Sequence, residues 1–164
     1  VDADLRRPSQ HKLFRMDLSP GLTDALVETH TIEEVLRPSG VENVQIISAG
    51  SPPPNPAELL GSSAMSRLIA ELESRADVVL FDSPPSLIAD GVVLSSQVDG
   101  VLMVIAFGET RKSTTRKAVE VLSRANARLL GTVLNRMEGP GGGYYGYYGY
   151  YGSYGKYYVP AVVE

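Results

Sequence analysis

Two carboxylates one residue apart, Asp2 and Asp4, precede a pair of arginines in Val1-Asp2-Ala3-Asp4-Leu5-Arg6-Arg7-Pro8. In an extended segment residues i and i+2 share a side, so both acids could face one cation or one hydroxyl. Hard oxygen donors of this kind suit Mg²⁺, which keeps several waters and shares itself with substrate phosphates. Arg6 and Arg7 add donors for a phosphate or for the acids themselves. A charged surface loop has the same composition, and these eight residues alone do not separate the two readings. A third acid, Asp82, ends a different stretch. Val78, Val79, Leu80 and Phe81 run uninterrupted between Asp77 and Asp82, the pattern of a strand buried on both faces of a parallel sheet. Pro84 and Pro85 stop it. Open α/β sheets bind ligands beyond the carboxyl ends of their strands, which puts Asp82 at the rim where chemistry is done. His11 and His30 have no partners at ligand spacing and read as surface or filler histidines.

The rest of the chain must position these acids. With 164 residues, 43% of them hydrophobic and a formal net charge of only −4, one globular body is expected, with no broadly basic face for nucleic acid. No cysteine is present, so disulfides and thiolate metal sites are excluded, which suits a reducing compartment. The longest apolar run, Val101 to Phe107, is far short of the roughly 20 residues a membrane helix needs. No signal peptide is visible. The chain opens on Val, in what reads as a strand end, and is therefore expected to be a piece of a longer protein.

Pro20-Gly21 marks a turn before a short helix over Leu22 to Glu28 with Leu22, Ala25 and Leu26 inward. Thr31 and Glu34 form a capping box ahead of Val35 and Leu36, and Pro38-Ser39-Gly40 ends that helix. Val44 to Ile47 reads as a strand. Four of the six residues from Ser51 to Pro56 are proline, giving a rigid extended loop at the sheet's edge or a polyproline segment for a partner. Met65, Leu68, Ile69 and Leu72 recur at i, i+3, i+4 and i+7, an amphipathic helix. Val101 to Phe107 is a second strand expected to be buried on both sides, followed by a helix opening at 110–115 with Ala118, Val119, Leu122 and Ala125 inward. Arg111, Lys112, Arg116 and Lys117 crowd its start and oppose its dipole, as a solvated face or as contacts for an acidic group. Leu129 to Asn135 is the last strand. This alternation predicts an α/β fold, a doubly wound and mostly parallel sheet with helices on both faces.

Residues 1–138 are thus expected as the folded body and 139–164 as a flexible Gly/Tyr-rich tail. The tail holds all nine tyrosines of the chain, at Tyr144, Tyr145, Tyr147, Tyr148, Tyr150, Tyr151, Tyr154, Tyr157 and Tyr158. Composition admits self-association by aromatic stacking or a set of phospho-acceptors, each gaining about −1.5 to −2 charges on modification.

Together, the Val1–Pro8 segment, Pro52-Pro53-Pro54-Asn55-Pro56-Ala57-Glu58-Leu59-Leu60, Val78 to Pro85 and the tyrosine tail resemble the bacterial tyrosine kinases of capsule and exopolysaccharide synthesis. The resemblance implies a P-loop fold of the partition-ATPase type. Asp2, Asp4 and Arg6 match the family's second Walker motif, Asp-x-Asp-x-Arg, and Asp82 its Walker B acid. Asn135, with Arg136 beside it, sits where the superfamily contacts the nucleotide base. The resemblance further implies ATP and Mg²⁺ as cofactors. Asp2 and Asp82 would hold the metal directly or through water, and Asp4 would take or orient the proton of an incoming tyrosine from a neighbouring subunit. Its implied partners are a membrane polysaccharide co-polymerase as activator, other subunits in a ring, and a tyrosine phosphatase. Its implied place is the cytoplasm, at the inner face of the plasma membrane.

One departure bears on activity. The phosphate-cradling G-x-x-x-x-G-K-[S/T] loop is not found in the 164 residues and is expected upstream of residue 1, so the chain as given should bind ATP poorly and transfer nothing. A partition or septum-positioning ATPase of the same fold explains the acids equally well but gives the tyrosines no purpose. A non-catalytic scaffold with a self-associating aromatic tail is the other alternative.

Overall fold

A computed structural model describes residues 1–137. The expected boundary at 138/139 and all nine tail tyrosines lie outside the described residues. The elements are α1 (Gln10–Leu13), α2 (Leu22–Leu26), α3 (Ile32–Val35), β1 (Arg37–Pro38), β2 (Gln45–Ile46), α4 (Pro56–Leu60), α5 (Ser63–Glu73), α6 (Ala89–Ser95), β3 (Val101–Ala106), α7 (Lys112–Arg124) and β4 (Leu129–Asn135).

Three extended segments meet at the centre. The Asp2 N–H donates to the Ile47 carbonyl (2.8 Å), the Ala3 N–H to the Asp82 carbonyl (2.7 Å) and the Asp82 N–H to the Val1 carbonyl (2.9 Å). Asp2 and Asp82 thereby form an isolated parallel bridge, with residues 1–3 lying between 46–48 and 80–82. Around them α2, α3, α4, α5 and α6 bury their apolar faces in one cluster, with Leu22, Ile47, Leu60 and Met65 at its heart. Met65, Leu68, Ile69 and Leu72 of α5 all face it, as their spacing predicts. The capping box of α3 forms as expected, with the Glu34 N–H donating to Thr31 Oγ1 (3.4 Å) and the Thr31 N–H to Glu34 Oε2 (2.7 Å).

A second, smaller cluster joins β3, α7 and β4. The strands pair in parallel from Leu102↔Gly131 to Ala106↔Asn135, and Met103 packs against Ala118 and Leu122 of the connecting helix, which completes a β-α-β unit.

Several elements differ from expectation. Segment 78–81 is not buried on both faces: Val79 and Phe81 pack on the large cluster, but Val78 is 71% and Leu80 72% exposed. Residues 1–3 cover one of its edges, and the face carrying Val78 and Leu80 has no element over it among the described residues. The same holds for β3, where Met103 is buried by α7 while Leu102 and Val104 stand exposed on the opposite face. Val78, Leu80, Phe81, Val98, Leu102 and Leu130 instead line a cleft of about 520 Å³ between the two clusters. Val119 faces solvent rather than inward, because α7 turns only a narrow Ala118–Leu122 stripe toward β3. The 44–47 segment is a strand only at Gln45–Ile46, and it pairs antiparallel with Arg37–Pro38, where a helix end was expected. Among the described residues the strands thus form two two-stranded sheets and the bridge, not one continuous sheet.

The turn before α2 shows how tightly the large cluster closes. A Cβ on Gly50, whose φ is +82°, would meet Thr23 Oγ1 at 2.3 Å, so only glycine fits there. Burial pushes the neighbouring Asp24 carboxyl up, but the Gly21 N–H (2.8 Å) and the Ser19 hydroxyl (3.0 Å), together with Ser51, outweigh this and hold it below its ordinary value. The unfolded state then takes the proton first. The contribution is full above the unfolded value of about 4 and is lost as pH falls through the lower folded value. Asp24→Asn is therefore expected to cost about 1–3 kcal/mol at neutral pH and to flatten the loss of stability below about pH 4 in urea titrations. Met65→Ala should cost about 2–5 kcal/mol in the same measurement at every pH.

Candidate functional site

The bridge brings Asp2 and Asp82 side by side at the ends of adjacent parallel segments, one buried and one at the surface. Asp2 is 0% exposed, and a carboxylate so placed needs donors. The loop after it supplies them: Oδ1 accepts from the Asp4 N–H (3.3 Å), and Oδ2 from the Ser9 (3.1 Å) and Gln10 (3.0 Å) N–H groups. Asp2 thereby ties down the start of α1, whose own N-cap, Ser9, makes no side-chain capping bond. Asp4, half-buried, folds the next turn by accepting from the Arg6 (3.2 Å) and Arg7 (2.9 Å) N–H groups at Oδ1. Asp82 is exposed, and its Oδ2 accepts from the Gln10 side-chain amide. Gln10 thus holds both acids, one through its backbone and one through its side chain.

The Arg6 side chain bonds Asp90 rather than Asp2, Asp4 or Asp82, in a two-point contact, Nε to Oδ2 at 2.6 Å and Nη2 to Oδ1 at 3.1 Å. The bonds to Asp90 hold its guanidinium firmly protonated, above the ordinary arginine value. Asn135 and Arg136 lie elsewhere, at the carboxyl end of β4. Asn135 accepts the Phe107 N–H at its carbonyl (2.8 Å) and the Arg136 N–H at its side chain (2.8 Å), and Arg136 pairs with Glu109 at the surface. Among the described residues no hydrogen bond links them to Asp2, Asp4, Arg6 or Asp82. Sequence reasoning missed Gln10 and Asp90. Asp90 did leave a signal: it lies four residues before Leu94, on the face α6 buries, and an acid at an apolar-face position calls for a cation.

The donor set bears on a metal. Among the described residues no group of three or more His, Cys, Asp or Glu side chains could hold an ion unaided. Two adjacent aspartates, one open to water, fit a Mg²⁺ that keeps most of its shell in water and phosphate oxygens and takes few protein ligands. They do not fit a Ca²⁺ or Zn²⁺ cage.

An α/β body with an acidic, arginine-bearing loop at the ends of parallel segments places these side chains where open α/β sheets bind ligands. No family model matches the chain. It is 38% identical over 136 residues to the tyrosine-protein kinase YwqD of Bacillus subtilis, covering 82% of this chain and 57% of that protein. It is 32% identical over 136 residues to the tyrosine-protein kinase Etk of Escherichia coli K12, covering 82% of this chain and 19% of that protein. Among solved structures, the kinase domain of VpsO superposes with a TM-score of 0.79 at 34% identity, over 84% of this chain and 68% of that one. The chain belongs to the bacterial tyrosine kinase family, and it spans little more than half the length of YwqD.

The loop geometry gives a direct test. Asp2→Ala strands the Asp4, Ser9 and Gln10 N–H groups, and is expected to lower stability by about 1–3 kcal/mol and to speed amide hydrogen exchange at Ser9 and Gln10 relative to Met65.

Proposed function

We propose that this chain is the acid-bearing part of an ATP-dependent protein-tyrosine autokinase whose acceptors are its own carboxyl-terminal tyrosines, and which regulates capsular or exopolysaccharide synthesis and export. The observation that carries the reading is the Asp2–Asp82 bridge with Asp4 beside it, in a chain of this family that continues into nine clustered tyrosines.

In such a reaction the protein's work is positioning and charge neutralisation. Asp2 and Asp82 are the residues that would hold Mg²⁺, directly or through water; bound there, it neutralises charge on the nucleotide phosphates. Asp4 orients the phenolic O–H of a tail tyrosine and takes its proton as the oxygen attacks the γ-phosphorus and ADP leaves. Its half-buried carboxylate is already anchored by the Arg6 and Arg7 N–H groups, so little reordering is required. Asn135 and Arg136 contribute to the nucleotide's far end, at the β4 rim. The reading requires a phosphate-cradling loop, which the 164 residues do not contain. An apolar strand leading into it would fill the cleft between 78–81 and β3, cover Leu80 and Leu102, and make the sheet continuous and doubly wound. A tail too short to reach its own site would enter a neighbouring subunit's, as in a ring. A membrane polysaccharide co-polymerase activates the enzyme at the inner face of the membrane, and a tyrosine phosphatase reverses it.

A longer form that carries the phosphate-binding loop is expected to label its own tail on incubation with ATP and Mg²⁺, read by phosphotyrosine mass spectrometry. EDTA, Asp4→Asn and Asp82→Asn each reduce the label to background. Undiminished label in both variants would overturn the assignment.

A further inference from the structure

The phosphoryl-transfer reading leaves one fully buried acid without a task, Asp90. It opens α6 on the face that also buries Gly91, Leu94 and Ser95. A Cβ on Gly91 would stand 3.1 Å from the Pro84 carbonyl oxygen, so this turn is pressed against the loop that follows Asp82. A buried carboxylate there needs a cation with good geometry. Arg6 supplies it, and is the side chain that hydrogen-bonds to the Asp90 carboxylate.

The contact is asymmetric. The Asp90 side chain is 0% exposed and that of Arg6 50%. A guanidinium carries five N–H donors in a rigid fork. Asp90 occupies two of them, on Nε and Nη2. The other three form the outer edge. The Arg6 backbone N–H, meanwhile, donates to Asp4 Oδ1 (3.2 Å), so this edge belongs to the same loop as the acid assigned to the phenolic proton. Freed from Asp90, the Arg6 side chain would have Asp4 as a carboxylate already close enough to act on its charge. An ion pair between them would neutralise the acid and remove the cation from the rim together.

We propose that Asp90 is a positioning residue that holds Arg6 with its outer edge toward a phosphoryl oxygen of the transferring group and keeps it off Asp4. The inference rests on the kinase reading above. The two-point grip orders a long side chain during folding, so this freedom is not lost again in the transition state. It also ties the Asp-x-Asp loop to the helix behind the Asp82 loop, across 84 residues of sequence.

The test uses the longer, tail-phosphorylating form. Asp90→Asn, which keeps the shape and loses the charge, is expected to lower kcat about 10- to 100-fold, with KM for ATP changing less than about 3-fold. Adding Arg6→Gln should lower kcat no further than Arg6→Gln alone, because both act through one guanidinium. Losses that multiply, or an Asp90→Asn enzyme with undiminished kcat, overturn the proposal. Removing one partner of a buried pair can unfold the loop, so Arg6→Met with Asp90→Leu is measured alongside, since it leaves no buried charge. That variant should melt like the parent and be no more active than Arg6→Gln; parental kcat in it also overturns the proposal. No phosphotyrosine in the unsubstituted protein overturns the kinase reading and this inference with it, whereas a fully active Asp90→Asn enzyme overturns the inference alone.

Discussion

The burial of the Asp2 carboxylate between two extended segments governs the geometry of the acidic end of this protein. Its backbone is held by the Ile47 carbonyl on one side and by the exchange with Asp82 on the other, which leaves the side chain nowhere to meet bulk water. A buried carboxylate without donors is costly enough that the following residues must bend to supply N–H groups. Asp4, Ser9 and Gln10 do so. That path places Asp4 at the half-exposed crest of the loop, swings Gln10 back over Asp82, and sends Arg6 toward α6. The arrangement of every candidate acid therefore follows from satisfying one of them.

A division of labour results. Asp2 spends three of its acceptor positions on the backbone, so its capacity as a direct metal ligand is small, and its influence on an ion would be by charge and through water. Asp82, exposed and held only by a side-chain amide, is the carboxylate free to change partners. The Gln10 amide is a neutral donor that a cation can displace without leaving a buried group unpaired, because the Gln10 backbone keeps its own bond to Asp2.

How far this was legible in the sequence depends on where the deciding information lies. The i, i+3, i+4, i+7 spacing of α5 and the reciprocal Thr31–Glu34 cap are local, and both are seen in the structure. The β4 bounds, Leu129–Asn135, also coincide with the apolar run that predicted them. Asp2 and Asp82 could be picked out as strand-end acids, but not as neighbours, since their bridge joins positions 80 residues apart. Arg6 could be given a phosphate or an acid as partner, and nothing in its own segment pointed to Asp90. The β1–β2 pair is only two residues on each side, too short to carry any period. Val78, Leu80, Leu102 and Val104 show a different limit: an unbroken apolar run states that both faces suit burial, while actual burial depends on what lies against them.

That mismatch separates what is preorganised from what is not. The acid loop is assembled by contacts within residues 1–10, 46–48, 80–82 and 90, all in or beside the larger cluster, and only Leu80 and Phe81 among them also line the cleft. The β3–α7–β4 unit, by contrast, has its own small core and faces that cleft with one apolar side. A strand seated in the cleft would touch Val78 and Leu80 on one side and Leu102 on the other. The acid end is therefore preorganised by the residues of this chain themselves. The distance from Asp82 to Asn135 is instead set across a cleft lined by Leu80, Leu102 and Leu130, so on the proposed reading whatever packs into that cleft would set the spacing of a nucleotide site.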